Sequence, residues 1–276
     1  MVNPRYTLGE QIEIGAQGSV VNAIDTKTGQ AIALKIFDIT TEKGSTGFTT
    51  EVLAHQIMQG KSKRICSVIE CLQVPGHYGI IAMKKYEKDL FDLTINETVL
   101  PLDTLKKTFR GICKAVRDLH TNGIAHLDLK LENILLDKEG KVYLCDLGCS
   151  YSHPSPKSLF SRKNKIPKVL VKGIECRGTK KYAAPEVFLK ENEYNPFSAD
   201  IYSLGVMLHV LTTTYYPGKH DLDFASQQLD AECFSLLRGM LQKNPTSRMN
   251  IHEILSHPWL ANKNRLQTWK EKLTSL

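Results

Sequence analysis

Between positions 5 and 84 the chain breaks into five short β-like runs: YTLGEQIEI, SVVNAID, AIALKIF, SVIECLQV and YGIIAMK. Runs of this length, rich in β-branched and aromatic residues, predict strands. TKTGQ and PGH supply hairpin-like turns between neighbours, and one helix is expected around TTEVLAHQIM. Beyond Asp89 the texture becomes mainly helical. Leu105, Phe109, Ile112, Val116 and Leu119 recur at alternating four- and three-residue steps, which is one face of a helix, and Gly123 is its stop. ADIYSLGVMLHVL is apolar nearly all round and predicts a centrally buried helix. Between these two helices, HLDLKLENILL and KVYLCDLG read as a loop and short strands. Residues 151 to 174 are polar, basic and punctuated by Pro and Ser, so a long irregular segment is expected there. RLQTWKEKL reads as a short amphipathic helix, and there is no internal repeat.

Composition narrows the class. With 276 residues, 42% of them hydrophobic, the chain can bury one sizeable core or two adjoining lobes. MVNPRYTLGEQ has no apolar run of the kind a secretory leader carries, and no stretch approaches the roughly 18 apolar residues of a membrane span. Seven cysteines at irregular spacing argue against a disulfide framework, and no CxxC or Cys/His cluster points to zinc. A reduced, soluble, intracellular monomer is expected, cytoplasmic with the nucleus as a second compartment, with no membrane or nucleic-acid partner. The net charge of +7 is uneven. From Asp146 to Glu186 there are nine bases (Lys157, Arg162, Lys163, Lys165, Lys168, Lys172, Arg177, Lys180, Lys181) against three acids. Such a run is either a solvated loop or a surface for acidic or phosphorylated partners, nucleic acid being the less expected of these.

The chemistry concentrates in one place. Asp128, Lys130 and Asn133 lie within six residues after a long helix, and Asp146 opens DLG further on. A carboxylate that orients a hydroxyl, an ammonium for developing charge and oxygen ligands for Mg2+ are what moving a phosphoryl group requires. Asn133 and Asp146 suit magnesium, which prefers one or two protein oxygens together with phosphates and water. Upstream, IGAQGSV sets Gly15 and Gly18 at a β-turn where backbone can approach phosphates, and Lys35 follows in AIALK.

These motifs together resemble a eukaryotic protein kinase domain of serine/threonine type, over residues 5 to 260 and in order; the family is a standard worked template for phosphoryl transfer. The resemblance implies an α+β, two-lobed protein kinase fold: a small, mainly β N-lobe with one helix (1–84), a larger, mainly α C-lobe (85–262) and a helical tail (263–276). It implies ATP and Mg2+ as cofactors and protein substrates with Ser/Thr acceptors. Lys35 would hold the α- and β-phosphates and pair with Glu51. Asp128 would be the catalytic base, Lys130 a γ-phosphate contact, and Asn133 and Asp146 the magnesium ligands. Ile12, Gly15, Gly18, Val20 and Ala33 would surround the nucleotide. Met83 would be the gatekeeper, with a hinge running to Tyr86 and Asp89 near the ribose. GTKKYAAPE resembles the end of an activation segment, with Thr179 contacting Asp128, and Arg248 of NPTSR would be the buried partner of Glu186.

Each motif alone has a plainer reading. Gly15 to Val20 can be a simple turn, Lys35 and Glu51 a surface pair, and Asp146 a turn acid; the ordered set carries the resemblance. Cys145 and Cys149 read as small buried residues, His126 as a structural hydrogen-bonding group, Trp259 and Trp269 as core or docking anchors. Glu132 is either a contact for a basic substrate residue or an exposed loop acid. The sequence departs from the family pattern at four points. Glu13 stands at the first glycine, Gln17 at an aromatic, Leu131 at a proline, and Leu127 at the arginine of the HRD-type motif. Tyr151 and Glu175 stand where a second base and the phosphorylated residue often sit, so activity without activation-segment phosphorylation is expected. A pseudokinase scaffold is the alternative; the complete set Lys35, Glu51, Asp128, Asn133 and Asp146 weighs against it. A kinase of small molecules is disfavoured by GTKKYAAPE.

Overall fold

The computed structural model describes residues 5–15, 18–96, 100–154, 169–171, 178–189, 193–218 and 229–261. Its first half is an antiparallel sheet. Strands β1 (Tyr6–Ile14), β2 (Gly18–Asp25), β3 (Ala31–Asp38), β4 (Val68–Val74) and β5 (Tyr78–Lys84) lie in the order β1-β2-β3-β5-β4. They coincide closely with the five β-like runs, because each hairpin is specified locally: Gly29 and Gly76, in the two expected turns, both adopt positive φ. Alternation then builds two faces. Tyr6, Ala23, Ile32, Leu34, Ile80 and Ala82 pack on one side, and Ala33, Phe37, Ile81 and Met83 on the other, where Phe48 from the following helix joins them.

Helix α1 (Glu42–Met58) packs on that second face, with Phe48 against Phe37 at 5.6 Å between ring centroids. It begins at Glu42 rather than near Thr49. The Thr41 side chain caps it by accepting from the Gly44 N–H, and burial holds a first turn whose Gly and Ser content is unfavourable in isolation.

The second half is helical: α2 (Leu90–Asn96), α3 (Leu102–Thr121), α4 (Pro196–Thr213), α5 (Ala231–Met240) and α6 (Ile251–Ser256). The stripe Leu105, Phe109, Ile112, Val116 and Leu119 is wholly buried, and α3 ends before Gly123, which has φ 76°. Helix α4 is buried along almost its whole length, capped by Asn195, whose side chain accepts from the Phe197 and Ser198 amides. Short strands β6 (Lys88–Asp89), β8 (Ile134–Leu136) and β9 (Val142–Leu144) form a small sheet, and β7 (Ile124–Ala125) pairs with β10 (Tyr151–Ser152). Two lobes result, one a sheet with a helix and one mainly helical, as expected. They are tied where the loop after α1 meets β9: the Cys66 N–H donates to Leu144 O at 2.9 Å and the Leu144 N–H to Arg64 O at 2.8 Å. Trp259 is core, 1% exposed. Among the described residues no helix is long and apolar enough to cross a membrane. The expected terminal helix, with Trp269, lies outside the described residues.

Candidate active site

Strand alternation sends Lys35 to the face of β3 that looks at α1. There its Nζ meets Glu51 Oε2 at 2.6 Å and Asp146 Oδ1 at 2.7 Å. Burial alone would lower the pKa of this lysine, but the two carboxylates outweigh it and hold the ammonium above the ordinary range. Burial likewise opposes ionisation of Asp146, yet the Lys35 charge wins and its pKa lies below normal. Three charged groups from β3, α1 and the residue pair after β9 therefore converge, and the anchoring of β9 to the loop after α1 positions the third.

The second group is built on the loop after β7. Asp128 Oδ1 accepts from the Thr179 N–H at 2.8 Å and its hydroxyl at 3.0 Å. Asn133 Nδ2 donates to Asp128 O at 2.8 Å, and Lys130 Nζ lies 3.7 Å from Asp128 Oδ2. Burial works against the Lys130 charge, while Asp128, Glu132, Asp146 and Glu13 raise its pKa overall. His126 has the structural task expected: Nε2–H donates to Cys145 O at 2.9 Å and Nδ1 accepts from the Asp128 N–H at 3.2 Å. Leu127 and Asp146 both adopt positive φ, 63° and 60°. Non-glycine residues rarely sit there, and such backbone persists where surrounding bonds over-determine it.

At Leu127 those bonds come from Asp200, a residue whose role the sequence alone did not suggest. Asp200 in α4 is fully buried and accepts from the His126 N–H at 2.7 Å, the Leu127 N–H at 2.8 Å and His120 Nε2–H at 2.8 Å. A carboxylate inside an otherwise apolar helix was the available signal, since a buried charge must be compensated. Gly178 closes the loop from the other side: at φ 93°, a Cβ there would overlap Leu127 O and crowd Asp128 Oδ1.

The nucleotide-facing candidates divide. Val20, Ala33 and Met83 share one apolar cluster, and Ala33 and Met83 are direct partners across β3 and β5. Ile12 is half exposed at 52%. The Gly15 N–H donates to Gly18 O at 2.8 Å, closing the turn. Gly18 is demanded by the sheet itself, because a Cβ would run into the Ile36 carbonyl. Gly18→Ala should therefore lower stability by roughly 1–3 kcal/mol even without nucleotide, readable in a denaturant titration. Tyr86 turns its ring onto Tyr143, 4.6 Å between centroids, and its hydroxyl accepts from the Ser67 N–H at 3.3 Å. Asp89 Oδ1 accepts from the Asp92 N–H at 2.8 Å at the start of α2. Glu13 falls at a register shift between β1 and β2. Gln17, Glu175, Arg177, the serines at 155, 158 and 161, and the basic residues 157 to 172 lie outside the described residues.

Glu186 and Arg248 form the expected buried pair, with Nη2 to Oε2 at 2.7 Å and a second contact from Nη1 to Oε1. Tyr182 OH donates to Glu132 Oε2 at 3.4 Å. Leu127 belongs to a cluster with Val169, Val171, Ala184, Val187, Tyr194 and Phe197. Contact with Cys66 and burial hold the thiol of half-buried Cys145 well above its normal pKa, which disfavours the reactive thiolate.

The donor set fits a magnesium nucleotide. The Asp146 carboxyl is held below its normal pKa, the Asn133 amide nitrogen is committed to Asp128, which leaves its oxygen as the atom that could ligate a cation, and Lys35 is held as a cation. Two such oxygens can ligate a cation that neutralises phosphates, an ammonium can bind phosphates directly, and a carboxylate braced by Thr179 can orient a hydroxyl.

Residues 6–260 match the family described as protein kinase domain. Maternal embryonic leucine zipper kinase of Xenopus tropicalis is 30% identical over 92% of this chain and 39% of its own length. CBL-interacting serine/threonine-protein kinase 26 of Arabidopsis thaliana is 28% identical over 97% of this chain and 61% of its own. Testis-specific serine/threonine-protein kinase 2 of Mus musculus is 31% identical over 92% and 73%. The chain thus spans about two fifths of the first of these relatives and three fifths of the second.

Proposed function

Because the chain belongs to the protein kinase domain family, we propose that it is an ATP- and Mg2+-dependent serine/threonine kinase of proteins. Residues 1–84 form its nucleotide-binding lobe, 85–262 its catalytic and substrate-binding lobe, and 263–276 a tail. The observation that carries this reading is the connected set Glu51–Lys35–Asp146 beside Thr179–Asp128–Asn133. Lys35 holds the α- and β-phosphates, oriented by Glu51. Asn133 and Asp146 hold magnesium, which when bound neutralises charge on the phosphates. Asp128 orients the acceptor hydroxyl and takes its proton, and Lys130 stabilises charge on the γ-phosphate. Catalysis is then mostly positioning and electrostatics.

A degenerate Ser/Thr peptide array with Mg-ATP tests the reading. Transfer to hydroxyls is expected; nucleotide binding without transfer would instead make the chain a pseudokinase scaffold. The same array reads substrate preference. Exposed Lys180 and Lys181, with the rest of the basic segment, favour acidic or phosphorylated acceptors. A preference for basic peptides would assign recognition to Glu132.

Activity without activation-segment phosphorylation is part of the proposal. What supports it is the surroundings of Leu127, which among the described residues is buried in an apolar cluster with Val169 and Val171 of the segment. Apolar contact takes the place that a phosphate gripped by an arginine holds in other kinases. Protein made in bacteria, treated with phosphatase and shown by mass spectrometry to carry no phosphate should keep its turnover. Turnover lost on dephosphorylation and regained with a phosphate between residues 149 and 179 would refute it.

A further inference from the structure

Glu51 is fully buried, yet its two carboxylate oxygens are unequal. Oε2 accepts from Lys35 Nζ at 2.6 Å, while Oε1 has no hydrogen-bond partner among the described residues. A buried carboxylate oxygen without a donor bears a full desolvation penalty. One turn further along α1 stands His55, with Nε2 3.9 Å from Oε1 and only 9% of its side chain exposed. The spacing is i to i+4 with the acid N-terminal to the base, the orientation that suits a helical pair. An approach of about 1 Å makes this separation a hydrogen bond. Cys71 on β4 also faces the Glu51 charge; burial, then that charge, raise its thiol pKa, so it stays a weak S–H donor.

We propose that His55 is a positioning residue for the Lys35–Glu51 pair, donating from Nε2–H to Glu51 Oε1 and so turning Oε2 towards Lys35. The proposal rests on the kinase reading. Lys35 is shared between Glu51 and Asp146 here. Once Asp146 serves as a metal ligand, Glu51 is the group that keeps the ammonium aimed at the phosphates. A carboxylate with one unbonded oxygen can rotate about its last torsion; the imidazole removes that freedom.

Two variants separate positioning from packing. His55→Leu keeps the buried volume and loses the donor, while His55→Gln keeps an N–H donor. Calorimetry with a non-hydrolysable ATP analogue, and steady-state kcat and KM for ATP, are measured on each. His55→Leu should weaken analogue binding and raise KM roughly tenfold, the loss of a hydrogen bond to a charged group, with a smaller change in kcat. His55→Gln should stay within about threefold of the unaltered protein. In a Glu51→Ala background, His55→Leu should change analogue affinity no further. Unchanged binding in His55→Leu, equal losses in both variants, or a further loss in the Glu51→Ala background would each overturn the proposal. Absence of phosphoryl transfer in the unaltered protein would overturn the kinase reading instead, and the binding comparison would still decide the role of His55.

Discussion

Asp128→Asn should lower kcat by about 10²–10⁴-fold, the range for removal of a positioned general base, and leave binding of an ATP analogue within about twofold. The variant isolates chemistry because the fold around it is preserved. An asparagine oxygen can still accept from the Thr179 N–H and hydroxyl, as Oδ1 does now. The other oxygen becomes an NH2 group, which can take no proton and faces the donors Lys130 Nζ and Asn133 Nδ2. Binding should hold, since the phosphate and metal candidates Lys35, Asn133 and Asp146 are untouched. Single-turnover transfer to a peptide, with analogue calorimetry alongside, is the measurement. Equal turnover in variant and unaltered protein would remove Asp128 from the mechanism, and loss of both binding and turnover would show that it acts through the fold.

Arg248→Ala should destabilise the protein by roughly 3–5 kcal/mol, because a buried carboxylate loses its counter-charge. For a chain of this size that corresponds to a fall in Tm of roughly 10 °C. The guanidinium does more than pair with Glu186. Nε–H donates to Gln242 O at 2.7 Å, Nη1–H to Ser198 O at 3.1 Å and Nη2–H to Lys243 O at 3.3 Å. It also lies over the Tyr202 ring, 5.0 Å from the centroid. Three chain segments therefore lose their joint at once. Glu186→Gln should cost less, since the arginine keeps its carbonyl partners. Thermal or denaturant unfolding of the two variants gives the comparison, and an Arg248→Ala protein as stable as the parent would contradict the role.

Much of the fold was legible because its rules are local. Strand runs, hairpin turns and the 3.6-residue stripe of α3 are each settled by near neighbours in the chain, and the five strands of the large sheet fall where the pattern put them, whereas the two-residue strands β6, β7 and β10 were not foreseen. The start of α1 was not legible. EKGSTG is poor helix sequence, and only its cap and its burial against the strand ends make it helical. The Glu186–Arg248 pair was anticipated through the family resemblance rather than through any local pattern.

The sequence by itself named the candidate residues for chemistry and their order, because catalysis requires particular functional groups and a motif names them. Only the tertiary structure decided which of them touch. Lys35 and Asp146 are 111 residues apart in the chain, and His126 and Asp200 are 74 apart. No local periodicity relates such positions; the packing of lobes and helices does. The burial of Leu127 among Val169 and Val171, the brace of Asp200 under the loop after β7 and the approach of His55 to Glu51 Oε1 follow from that packing. A side chain's charge and hydrogen-bonding capacity are written in its name, but its desolvation and its partners are set only when distant segments close around it.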